Sequence, residues 1–91
     1  MNVEEYADIL NLELRITRYP NQQNRYCASF EHCETKDHKG AAGLCSTHGN
    51  GITPALAVGD YVSKIRGRLL VVNAMSEKDR REYVVPKELE A

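Results

Sequence analysis

Hydrophobic positions change their spacing several times along this chain, and each change marks a predicted element. Val3, Tyr6, Ala7 and Leu10 recur at helical spacing, with Glu4 and Glu5 where a helix dipole favours negative charge. A short leading helix ending near Asn11 is expected. From Leu12 the period becomes two: Leu12, Leu14 and Ile16 face one way and Glu13, Arg15 and Thr17 the other, as in a half-buried strand. Pro20-Asn21-Gln22-Gln23-Asn24 is a turn by composition. Tyr26, Ala28 and Phe30 alternate on the return strand, which is expected to reach Glu34. Residues Thr35 to Gly40 make the next connection, and Ala41 to His48 a third strand of small residues.

The segment Gly49-Asn50-Gly51-Ile52-Thr53-Pro54 places a threonine at a helix N-cap and a proline at the first helical position. Val58, Tyr61, Val62 and Ile65 follow at i, i+3, i+4 and i+7, so a strand turns here into an amphipathic helix from Pro54 to about Arg66, stopped by Gly67. Gly59 weakens the middle of that helix, which suggests close contact with the sheet. Leu69 to Val72 read as a strand buried on both faces and Ser76 to Asp79 as a polar turn. Arg81 to Val85 form a last strand, stopped by Pro86 and placed at an edge. Lys87 to Ala91 are expected to be a loose tail.

These elements predict one α+β domain over residues 1–91. It has a largely antiparallel five-stranded sheet, one main helix packed on one face and a short N-terminal helix. Leu14, Ile16, Tyr26, Ala28, Phe30, Leu44, Val58, Tyr61, Val62, Ile65, Leu70 and Val72 are its expected core. A chain of 91 residues buries only about 60 to 65% of its unfolded surface, so one core must suffice. Self-association is expected, with the Val84-Val85 edge suited to a second copy.

A net charge of −1 argues against a general nucleic-acid binder. The charge is unevenly placed, with Lys64, Arg66 and Arg68 close together and Arg80-Arg81 beyond them. No apolar run of membrane-spanning length and no basic-then-apolar leader occurs, so a cytoplasmic protein is expected. Three cysteines fit free thiols in a reducing compartment.

Cys33, His38, Cys45 and His48 are groups of the kind that bind zinc, but no CxxC or HxxxH knuckle sets them at zinc spacing, so no metal or other cofactor is expected. Cys45 and His48 lie three apart on an expected strand, where their side chains diverge, and Glu31 and Glu34 point apart for the same reason. No catalytic residues and no enzymatic activity are therefore predicted. Backbone amides of Gly49 to Gly51 before a helix offer a possible anion cradle, from which Pro54 removes one donor. Arg66, Arg68, Arg80 and Arg81 are better phosphate ligands, because a guanidinium fork pairs bidentately with phosphate oxygens. If the last two strands form a hairpin, these arginines and Asn73 gather with Tyr83 at one end of the sheet.

From Leu12 to Val72 the order strand, strand, strand, helix, strand, with Gly51-Ile52-Thr53-Pro54 and Ala57 at the junction, resembles HicB-like antitoxin domains. From Leu12 to Pro86 the chain also looks like small proteins of tailed bacteriophages. The likeness is carried by the Gly49 to Pro54 junction, Asp60-Tyr61, Ile65, Gly67, Leu70 to Ala74, Arg80-Arg81 and Val85-Pro86. That second resemblance implies a protein that counters host defence, as anti-Thoeris sponges do by sequestering nucleotide signals without cleaving them.

The expected function is thus a phage-type, non-enzymatic binding protein that holds a small nucleotide immune signal, with Arg66, Arg68, Asn73, Arg80 and Arg81 as ligand contacts. The alternative is a HicB-like antitoxin or interaction inhibitor that occludes a host protein or a nucleic-acid site. Nucleic-acid binding through the Lys64 to Arg68 stripe is a third class, marked by affinity that falls steeply with salt.

Overall fold

The computed structural model describes residues 1–23, 25–36 and 43–91. Helix α1, Val3–Leu10, starts in a capping box: the Asn2 side chain accepts the Glu5 N–H at 2.9 Å, and the Glu5 carboxylate accepts the Asn2 N–H at 3.0 Å. It ends at Asn11, whose φ of 56° turns the chain out of the helix. Strands β1, Leu14–Arg18, and β2, Tyr26–Phe30, form the expected hairpin, pairing Leu14 with Phe30 and Ile16 with Ala28.

The return strand does not continue to Glu34. It breaks at Glu31-His32, where His32 has a φ of 60°, and β3, Cys33–Lys36, leaves for a different sheet. The pattern of burial slips with it: positions 28 and 30 are buried in β2, whereas the buried residue of β3 is Thr35. A strand cannot change parity without a turn or bulge, and this slip divides the expected five-stranded sheet into two three-stranded sheets. Their orders are β1-β2-β4 and β3-β5-β6, and every named pairing is antiparallel.

The expected strand over Ala41 to His48 begins outside the described residues, and from residue 43 to 48 only Cys45 joins a bridge, to Thr35. Strand β4 comes later, at Gly49–Gly51, so the glycine segment before the helix is itself part of the sheet. Helix α2, Pro54–Ile65, lies directly over it. A Cβ on Gly51 would meet the Ala57 nitrogen at 2.5 Å, and one on Gly49 would collide with the Ala57 carbonyl and the Tyr61 backbone. Close contact therefore occurs at Gly49 and Gly51; a Cβ on Gly59 would meet nothing within 4 Å.

Thr53 caps α2 by accepting the Leu56 N–H at 3.1 Å, Pro54 opens it, and Gly67, with a φ of 71°, follows its end. Ala57, Tyr61, Val62 and Ile65 are its buried stripe. Phe30 packs edge-on against Tyr61, with ring centroids 5.6 Å apart, and Tyr6 brings α1 to the same cluster. Of the expected core, Leu14, Tyr26, Leu44 and Val58 are only half buried, and Ile16 is exposed.

Strand β5, Leu69–Val72, is central in the second sheet, and β6, Arg81–Val84, forms its edge. Val84 is exposed there, while Val85 is buried and donates its N–H to the Arg68 carbonyl. The final segment is not loose. Leu89 is buried, Glu90 bridges Asn2, and the Glu90 N–H reaches the Met1 carbonyl at 3.0 Å. No helix among the described residues is long and apolar enough to cross a membrane.

Candidate functional site

The β5-β6 hairpin forms, and it separates the five expected ligand residues. Asn73, Arg80 and Arg81 lie at its turn, whereas Arg66 and Arg68 lie at its other end. Five residues of extended chain place Arg68 and Asn73 about 16 Å apart along the strand.

Three of the four arginines are committed to the scaffold. The Arg66 Nε donates to the Leu89 carbonyl at 2.6 Å, which holds the final segment against α2. Arg80 forms a salt bridge with Glu82 at 2.8 Å and reaches the Ala74 carbonyl at 3.4 Å. Arg81 donates to the Leu10 carbonyl at 3.3 Å, closing the C-terminus of α1, and sits 5.9 Å from the centre of the Tyr83 ring. Asn73 takes the left-handed turn position, with a φ of 52° and its N–H on the His32 carbonyl at 2.9 Å.

Arg68 differs. It is half buried and has no side-chain hydrogen bond or salt bridge among the described residues. With Ser46, Thr47, His48, Asn50 and Lys64 it lines a shallow groove of about 490 Å³. The helix presents Lys64 one turn after Asp60, and the Lys64 ammonium lies 2.9 Å from both the Asp60 carboxylate and the His48 carbonyl. Asp60 also accepts the Asn50 N–H at 2.8 Å. The bonds from Lys64 and then from Asn50 hold the Asp60 carboxyl below its ordinary pKa. The proposed backbone anion cradle is thus partly occupied by the chain's own carboxylate.

A larger cleft of about 600 Å³ adjoins this groove and shares Ser46 and His48 with it. Cys33 and Ala74 give it apolar surface, His32 and Asn73 polar edges, and Met75 an exposed rim. Arg15 and Glu31 meet there in a salt bridge of 2.9 Å. Burial pushes the Cys33 thiol up to about 11, so it stays protonated and weakly nucleophilic near neutrality.

Of the four considered zinc ligands, His38 lies outside the described residues, and among the described residues no three His, Cys, Asp or Glu side chains converge. Lys64 and Arg68 were legible as a local basic stretch. Ser46, Thr47 and Asn50 carry no pattern of their own; the fold brings them beside those cations. Compared with family models, curated proteins and solved structures, the chain matches none.

Proposed function

We propose that this chain is a phage-type, non-enzymatic binding protein that acts in the cytoplasm of an infected bacterium and sequesters a small nucleotide signal of host defence. The phosphate sits in the Arg68 groove and the nucleoside in the adjoining cleft. One observation supports this reading above the others: Lys64 and the half-buried Arg68 line a groove that shares Ser46 and His48 with a larger, partly apolar cleft. Cations and hydroxyls at one end suit phosphate, and a roomier, partly apolar space at the other suits a base. Arg68 and Asn73 remain ligand contacts, while Arg66, Arg80 and Arg81 hold the scaffold.

Calorimetry and thermal shift against cyclic nucleotides and ADP-ribose derivatives test the reading. The expected result is stoichiometric binding without turnover that Arg68→Ala weakens and Arg80→Ala leaves intact. Absence of binding at tens of micromolar, or release of a product, overturns it.

The second reading, a HicB-like inhibitor of a protein partner, is favoured by Ile52 and Leu56, which are 59% and 55% exposed beside the start of α2. It predicts a tight complex with a toxin or host protein that Leu56→Lys abolishes, and indifference to nucleotides.

A further inference from the structure

The first sheet ends at β1, and that strand leaves a regular row of backbone groups open. The Glu31 N–H bonds to the Glu13 carbonyl at one end of the hairpin and the Tyr19 N–H to the Arg25 carbonyl at the other. Antiparallel pairs alternate, so Arg15 and Thr17 turn their backbone groups toward β2, while those of Leu14, Ile16 and Arg18 point away from the sheet. Among the described residues no hydrogen bond reaches these outward groups.

The other edges differ. Thr35 of β3 is bonded to Cys45, and the outward N–H of Asn50 on β4 is held by Asp60. The β6 edge has Glu82, salt-bridged to Arg80, and runs into Pro86, which has no N–H. Strand β1 has neither proline nor bulge, and its Ile16 is 43% exposed. An apolar groove of about 450 Å³ runs beside it, bounded by Leu14, Ile16, Pro54, Ala55 and Val58.

We infer that β1 is a homodimer interface, in which β1 of a second copy pairs antiparallel across a two-fold axis at Ile16. Backbone availability and charge leave one register in which β1 complements itself, and this self-complementarity makes a second copy the occupant. A shift that centres the axis on Arg15 sets two arginines directly opposite one another. Centring on Leu14 requires the Leu12 N–H, already bonded to the Ala7 carbonyl at 2.8 Å. Centring on Thr17 sets Leu14 against Pro20, which has no N–H to give.

With the axis on Ile16, Leu14 faces Arg18 of the second copy and Arg15 faces Thr17, so no like charges are directly opposed; the two Arg15 side chains are diagonal, each held by its own Glu31 at 2.9 Å. The two Ile16 side chains meet on the face that carries α2, partly closing the groove, and the two sheets become one of six strands. This interface lies apart from the Arg68 groove and from the Val84 edge, and Arg15 is the one β1 residue that also lines the adjoining cleft.

Size-exclusion chromatography with light scattering, over a dilution series of the full chain, tests it with two variants. Ile16→Pro removes only an outward N–H, so it should leave far-UV circular dichroism unchanged and convert the dimer to monomer. Val84→Pro, at the other exposed edge, should leave the dimer intact. Ile16→Cys, made in a Cys45→Ala background because Cys45 is itself exposed, should be joined into a covalent dimer by a short bismaleimide, since the Cα atoms of a hydrogen-bonded pair lie about 5.5 Å apart. If Ile16→Pro does not fold, the Ile16→Cys result decides. A monomeric wild type at every concentration, a dimer that survives Ile16→Pro, or Ile16→Cys that stays uncrosslinked overturns the inference.

Discussion

The Tyr61 hydroxyl accepts the backbone N–H of Phe30 at 3.1 Å, joining the middle of α2 to the last residue of β2. The bond fills a defined gap. Even-numbered residues of β2 turn toward β4, but β4 begins at Gly49, opposite Ala28, so the Phe30 N–H projects beyond the end of its partner strand. A buried donor left without an acceptor costs about 1 to 3 kcal/mol. Tyr61→Phe should destabilise the protein by that amount in urea titration with the fold retained; a loss below about 0.5 kcal/mol means that another group takes the N–H.

The same buried groups make the fold sensitive to base. Burial raises the Tyr61 phenol above its ordinary 10.0 and the Cys33 thiol from 9.0 to about 11. Each is an acid whose folded pKa exceeds its unfolded one, so its stabilising contribution is complete below the unfolded value and is lost as pH rises. For Cys33 the loss falls between about pH 9 and 11. The urea midpoint should fall through that window, and Cys33→Ala should flatten the early part of the decline. Thiol labelling near neutral pH should modify exposed Cys45 before Cys33.

Glycines in the strand and in the helix respond in opposite ways to the same change. Gly49→Ala or Gly51→Ala pushes α2 off the sheet and should cost about 3 kcal/mol or more, since the colliding atoms are largely backbone. Gly59→Ala meets open space and removes a helix-weakening residue, so it should stabilise by about 0.5 to 1 kcal/mol. Thermal melts of the three variants rank them directly.

Leu89 anchors the final segment, with its side chain in the core and its carbonyl on Arg66. Leu89→Ala should cost about 2 to 5 kcal/mol, the range for truncating a buried leucine. Arg66→Ala should expose the segment to limited proteolysis at a smaller cost in stability.

At the proposed phosphate groove, Asp60 offsets the charge of Lys64. Asp60→Asn keeps an acceptor for the Asn50 N–H but removes the negative charge, so affinity for a nucleotide that binds should rise a few-fold. Arg68→Ala should lower it about tenfold or more, as expected for loss of a charge-assisted hydrogen bond. Unchanged calorimetric affinity in both variants would place the phosphate elsewhere.

Local patterns were enough for α1, the β1-β2 hairpin, α2 with its Thr53 and Pro54 start, and the β5-β6 pair. Each rests on spacing, capping or turn chemistry within a few residues of chain. The basic stretch containing Lys64 and Arg68 was legible for the same reason. Three features depended on contacts between residues distant in sequence. The division into two sheets turns on His32 adopting a left-handed conformation and on β3 pairing with β5. Gly49 to Gly51 becomes a strand because α2 requires a surface without side chains, a demand invisible in a segment whose composition describes a turn. The five polar candidates separate because a hairpin sends its two ends in opposite directions, and because carbonyls of Leu10, Ala74 and Leu89 engage three of the arginines. Which face a side chain occupies follows from local periodicity; which partner satisfies it is set by the packing of the whole chain.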